Sequence, residues 1–109
     1  MTIHYVDTLA DITEAQLAGL CGSWDLAPST SVLLRLLAQA PARVLAVEEG
    51  TGAVVGFLGV VPAPRGYMPL TDVLPAYQDL GVAAEMRRRV LTSLAPGQAR
   101  YPRAHRAIA

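Results

Sequence analysis

Residues 53–61 constrain this chain more than any other stretch, because nine successive positions (Ala-Val-Val-Gly-Phe-Leu-Gly-Val-Val) carry no polar side chain. A strand with one wet face alternates apolar and polar residues, and this run does not. It fits a central strand covered on both faces, which requires apolar elements on each side of a sheet. Pro62 and Pro64 follow, and they read as the stop of the strand, since proline cannot donate to a ladder.

The flanking sequence supplies those elements. Ile3-His4-Tyr5-Val6 is short and β-prone, as expected of an edge strand. Asp11 or Thr13 can cap a helix through about Leu20, with Leu9, Ile12, Leu17 and Leu20 spaced for one apolar face. After Trp24 and Pro28, Ser29 or Thr30 begins a second helix whose stripe is Val32, Leu33, Leu36 and Leu37, and Pro41 ends it. Residues 43–48 alternate as a strand, and Glu49-Gly50-Thr51-Gly52 supplies turn residues tolerant of positive φ. Residues 67–74 form the next antiparallel strand. Beyond Pro75 the period becomes helical, with Val82, Ala83, Met86, Val90 and Leu94 on one face and Glu85, Arg88 and Arg89 on the wetter side. The predicted order is β-α-α-β-β-β-α, an α+β arrangement of a mostly antiparallel sheet flanked by helices. Trp24 and Phe57 belong to the core on this reading, and Tyr67 either lines an acceptor site or sits half-buried in its strand.

At 109 residues this is one domain over 1–95, followed by an irregular Arg/Ala/Pro-rich tail at 96–109 without periodicity. Net charge is zero, yet residues 1–86 carry nine acidic and three basic groups, whereas 87–109 carry six arginines and no acid. No global field draws such a chain to nucleic acid, and the tail lacks aromatic interleaving or a recognition helix, so nucleic acid is not expected as a partner. One cysteine, Cys21, excludes an internal disulfide and a cysteine-based metal cluster, and no metal is expected. The N-terminus lacks a secretion signal, and no apolar stretch is long enough to cross a bilayer, so a cytoplasmic location without membrane association is expected.

Chemistry concentrates in Asp72-Val73-Leu74-Pro75-Ala76-Tyr77-Gln78-Asp79-Leu80-Gly81-Val82-Ala83. A strand ends, a short loop follows, and a small-residue turn opens a helix. Unpaired N–H groups and the macrodipole at a helix N-terminus suit a pyrophosphate, and small residues at 81 and 83 let it approach the backbone. Gln78 to Ala83 resembles the Arg/Gln-x-x-Gly-x-Gly/Ala signature of the GCN5-related N-acetyltransferases (GNAT), and Asp72 to Tyr77 resembles that family's lead-in. Residues 44–48 and 54–59 are similar to its second and third strands. Asp79 departs from the family pattern, which often has Gly or a basic residue there.

The resemblance implies a GNAT-like acyl-CoA N-acyltransferase fold and transfer of acetyl from acetyl-CoA, as co-substrate, to an amine of a small molecule or a protein. It implies that Val73 and Leu74 present backbone groups to the pantetheine arm. The amides of Leu80, Gly81, Val82 and Ala83, following Gln78 and Asp79, would cradle the pyrophosphate. It puts Asp72 where many members carry a general base, while its other reading is a strand-end carboxylate capping a neighbouring turn. Arg87, Arg88 and Arg89 either add phosphate contacts or form a solvated face. The family's usual C-terminal strand, helix and hairpin find no counterpart, and the tail has the composition that a shifted reading frame yields in GC-rich DNA. From this follow two further expectations: a homodimer through the edge strand left exposed, and, as the alternative function, a catalytically impaired CoA-binding or interaction remnant.

Overall fold

In the computed structural model, residues 2–93 are described. Four strands form one antiparallel sheet in chain order: β1 (Ile3–Val6), β2 (Ala42–Glu48), β3 (Val54–Ala63) and β4 (Gly66–Val73). Helix α1 (Thr30–Gln39) and a 3-10 turn, Glu14–Leu17, cover one face, and α2 (Val82–Ser93) covers the other. A second 3-10 turn, Pro75–Leu80, joins β4 to α2.

The expected central strand is present, and Val54 through Val61 are all buried. Its end is corrected: β3 continues through Pro62 to Ala63, where Pro62 pairs with Tyr67 beside the hairpin turn. The first expected helix is also corrected. Thr13 is its N-cap, with the reciprocal bond from the Thr13 N–H to Gln16 Oε1 at 2.7 Å, but only one 3-10 turn forms before the chain bends away at Ala18. Ser29 caps α1 as expected, its hydroxyl accepting the Val32 N–H at 3.2 Å. The turn at 49–52 is held by Glu48, whose carboxylate accepts the N–H groups of Gly50 and Thr51 at 2.9 and 3.0 Å. Those bonds, the Gly50 one foremost, hold its carboxyl below the usual carboxylate range.

The two cores lie back to back across β2 and β3. On the α1 side Leu17, Leu20, Cys21, Leu33 and Leu37 pack onto Leu45, Val47, Val54 and Phe57. On the α2 side Val82, Met86 and Val90 pack onto Val44, Ala46, Val55, Leu58 and Val60. Val54 and Val55 face opposite sides, yet Phe57 returns to the side of Val54. The ladder explains this: Ala46 pairs with Gly56 and Val47 with Val54, leaving Val55 as a bulge that resets the alternation. Gly59 lets α1 come close, since a Cβ there would lie 2.9 Å from Leu37 Cδ2. Phe57 is a core residue, and half-buried Trp24 packs against the same cluster, with ring centroids 6.4 Å apart.

Among the described residues β4 is an edge of the sheet. The Leu74 N–H donates to the Val55 carbonyl at 2.8 Å, which fixes the phase of the strand. By alternation Asp72 and Leu70 also turn their backbone groups toward β3, while Val73, Thr71 and Pro69 turn theirs outward. Pro69 therefore sits where its missing N–H costs the ladder nothing and removes a donor from the open edge.

Candidate functional site

The site is built where β4 ends, beside the bulge. Val73 is buried through its side chain and packs on the α2-side core, but its backbone faces the edge. The Val73 carbonyl accepts from Gln78 Nε2 at 3.0 Å, so the Gln78 side chain folds back onto the strand it follows. The Leu74 N–H is committed to Val55. Of the two residues expected to offer backbone groups to a ligand, Val73 is thus turned to the edge with its carbonyl occupied, and Leu74 is held by the ladder.

Pro75 opens the 3-10 turn at a position that requires no N–H, and Gly81 closes it at φ 76° and ψ 13°. Only glycine adopts that left-handed conformation without strain, and a Cβ there would meet nothing within 4 Å. The space in front of Gly81 is open. The first return bond of α2 runs from the Glu85 N–H to the Gly81 carbonyl at 3.1 Å, so Val82, Ala83 and the next residue precede the first N–H with a helical acceptor. Val82 is buried and anchors the helix start, Ala83 is half-buried, and Gln78, Asp79 and Leu80 are exposed. These residues fit a pyrophosphate: open space, free helix-end donors and no large side chain at 81 or 83. Asp79 is the one carboxylate on the turn.

Asp72 is half-buried and points to the α1 side, where its Oδ2 accepts the Cys21 N–H at 2.7 Å. Cys21 has φ 62°, unusual for a residue with a side chain. Its thiol is fully buried, and burial together with the Asp72 charge pushes it up to about 11. The bend at 18–23 is thus tied to the end of β4, with Leu74 packed against the same α1-side cluster. The sequence offered capping of the neighbouring turn as one reading of Asp72, but the carboxylate instead accepts from a bend 51 residues earlier in the chain.

The remaining candidates lie elsewhere. Tyr67 pairs with Pro62 at the hairpin end of β4, five residues and roughly 17 Å from Asp72 along the strand. Arg88 and Arg89 close on Glu85, Arg89 Nε at 2.7 Å, which holds its carboxyl down at about 2. They belong to the C-terminal half of α2, away from its N-terminal end, and Arg87 is exposed. Leu94 and the tail at 96–109 lie outside the described residues. Among the described residues no cluster of acidic, His or Cys side chains has a metal-binding arrangement, and no helix is long and apolar enough to cross a membrane. Sequence reasoning missed the Cys21 bend, whose signal was the small-residue stretch Ala18-Gly19-Leu20-Cys21-Gly22.

The architecture is shared with a crystal structure from Deinococcus radiodurans R1, a protein to which an acetyltransferase activity is ascribed. The two agree with a TM-score of 0.74 and 33% sequence identity over 86% of this chain and 66% of that one. This chain therefore spans just under two thirds of the length of that protein. No protein-family model and no curated protein matches the sequence. The fold is that of an acetyltransferase-like α+β domain.

Proposed function

We propose that this chain is a GNAT-type N-acyltransferase domain that holds acetyl-CoA between the end of β4 and the start of α2 and passes the acetyl group to an amine. The observation that carries the reading is the left-handed Gly81 opening α2 directly after an edge strand, in a fold shared with an acetyltransferase-like protein. Val73, at the outward-turned end of β4, lies where the pantetheine arm would run, and Gln78 must release its carbonyl to admit a partner there. The amides of Leu80, Gly81, Val82 and Ala83 receive the pyrophosphate, helped by the dipole of α2. Bound acetyl-CoA supplies the activated thioester. Asp72 takes the proton from the acceptor amine, using its carboxylate while the Cys21 N–H fixes its orientation.

Gly81→Asn and Gly81→Asp test the cofactor site, since both tolerate a left-handed backbone better than other residues and differ only in charge. Calorimetric titration with acetyl-CoA should show saturable binding for Gly81→Asn and at least about tenfold weaker binding for Gly81→Asp, as an anion loses charge-assisted bonds. Equal affinities would move the pyrophosphate elsewhere. A second reading, a CoA-binding module without turnover, is favoured by the occupied Val73 carbonyl. Thiol release from acetyl-CoA across an amine panel supports the enzyme, and binding without release supports the module. The acceptor on the first reading is a small-molecule or protein amine.

A further inference from the structure

The Val73 carbonyl and the open space before Gly81 lie at the two ends of one turn, Pro75–Leu80, and Gln78 stands on that turn. Among the described residues β4 is an edge strand, and the Leu74 N–H bond to the Val55 carbonyl sets the phase that turns Val73 outward. The Val73 carbonyl therefore takes its donor from outside the ladder, and Gln78 Nε2 supplies it at 3.0 Å. A side chain stands where the next strand of a sheet would.

The backbone around Gln78 is fixed without that bond. The Tyr77 N–H donates to the Leu74 carbonyl at 2.9 Å, and the Tyr77 side chain packs against the α2-side cluster. Pro75 and Gly81 set the two ends of the turn. Gln78 itself is exposed, so its carboxamide can rotate away while the turn stays folded. Three residues of 3-10 turn advance about 6 Å, a distance comparable to the length of a glutamine side chain. The donor that holds Val73 can thus reach an anion in front of Gly81.

Two acceptors then compete for one donor. The Val73 carbonyl is neutral and its bond only partly buried, whereas a phosphate oxygen is charged, and hydrogen bonds to charged groups are roughly twice as strong. An occupied anion site draws Gln78 off the strand, and an empty one leaves it there.

Building on the cofactor reading above, we infer that Gln78 is a two-position donor that couples the two halves of the cofactor. It blocks the Val73 carbonyl until the pyrophosphate is in place. It then turns to the phosphate and releases that carbonyl to an amide N–H of the pantetheine arm. Gln78 is a positioning residue that sets specificity: a thioester carrying the arm without the nucleotide meets a blocked strand, and acetyl-CoA opens it.

The test uses the halves separately on the full 109-residue chain: S-acetylpantetheine for the arm and 3′-phosphoadenosine 5′-diphosphate for the nucleotide, followed by amide NMR, which reads weak binding. Saturating nucleotide should tighten S-acetylpantetheine binding, read at Thr71 and Val73, by about two- to tenfold, the strength of one neutral hydrogen bond. The nucleotide alone should shift the Gln78 side-chain amide resonances. Gln78→Met keeps the length and loses the donor, so it should bind the arm without nucleotide as tightly as the parent chain does with it, and the coupling should vanish. Gln78→Glu, an ionised acceptor without a donor, should uncouple the halves as well. Coupling that persists in both variants, or halves that bind independently in the parent chain, would overturn the inference and leave the cofactor site standing. A folded parent chain that binds neither half nor acetyl-CoA would remove the cofactor reading and the role of Gln78 together.

Discussion

Asp72 Oδ2 accepts the backbone N–H of Cys21 at 2.7 Å, joining the end of the edge strand to a bend held at φ 62°. The bond links an anion beside the candidate cofactor ledge to the loop that follows the first 3-10 turn. On the proposed reading one carboxylate has two separable duties, orientation of the loop and acceptance of a proton.

Asp72→Asn separates them. The amide oxygen still accepts the Cys21 N–H, so thermal stability should change little and acetyl-CoA affinity should hold. Loss of the base should lower kcat by about 10²–10⁴-fold. Asp72→Ala leaves the buried N–H unpaired and should additionally destabilise the fold by about 1–3 kcal/mol. If Asp72→Asn turns over acceptor at the normal rate, Asp72 is a positioning residue only, and calorimetry with steady-state rates on both variants decides it.

The Cys21 thiol gives a pH dependence. Its folded value is raised from an ordinary 9 to about 11, by burial first and by Asp72 second. Below pH 9 both states keep the proton, so its contribution to stability is fully present there. Between 9 and 11 the unfolded chain loses the proton first, and stability falls as pH rises. Urea unfolding of the protein and of Cys21→Ala, below pH 9 and near pH 11, should show a steeper fall with the cysteine present. Parallel curves would remove the effect. The same burial predicts slow alkylation of the folded chain and fast alkylation in denaturant.

Gly59→Ala should destabilise the domain by about 1–3 kcal/mol, because its Cβ would lie 2.9 Å from Leu37 Cδ2 and force that buried side chain to repack. A melting curve unchanged from that of the parent chain would mean that Leu37 repacks without cost.

Pro69 takes one edge-facing donor away from β4. We propose that Thr71 and Val73 offer the pairing ledge for any second copy. Pro69→Val restores the donor and should raise the apparent mass in light scattering with concentration, beyond that of the parent chain. Equal masses at all concentrations would leave the edge without a role in assembly.

Much of the fold was legible along the chain because it depends on neighbours a few residues apart. Ser29 and Thr13 act as caps where expected, and the apolar run at 54–61 is buried on both faces. The stripe Val82, Met86 and Val90 faces the sheet as its spacing required. The loop into α2 was readable for the same reason, since Pro75 and Gly81 act through their own backbone preferences.

What lay beyond the sequence depends on partners distant in it. The bulge at Val55 arises from how β2 and β3 register, and no period within β3 marks it. Whether Asp72 caps a turn or stands free turns on Cys21, 51 residues earlier. The fold-back of Gln78 follows from the place of β4 at the edge of the sheet among the described residues, which turns the Val73 carbonyl outward. Sequence by itself determined most of the elements, the first expected helix and the end of β3 excepted, and the small-residue approach to α2, because local preferences and periodicity act within a few residues. Tertiary packing alone decided which groups are paired, buried or left open, because that is set by contacts between segments whose separation the chain does not encode locally.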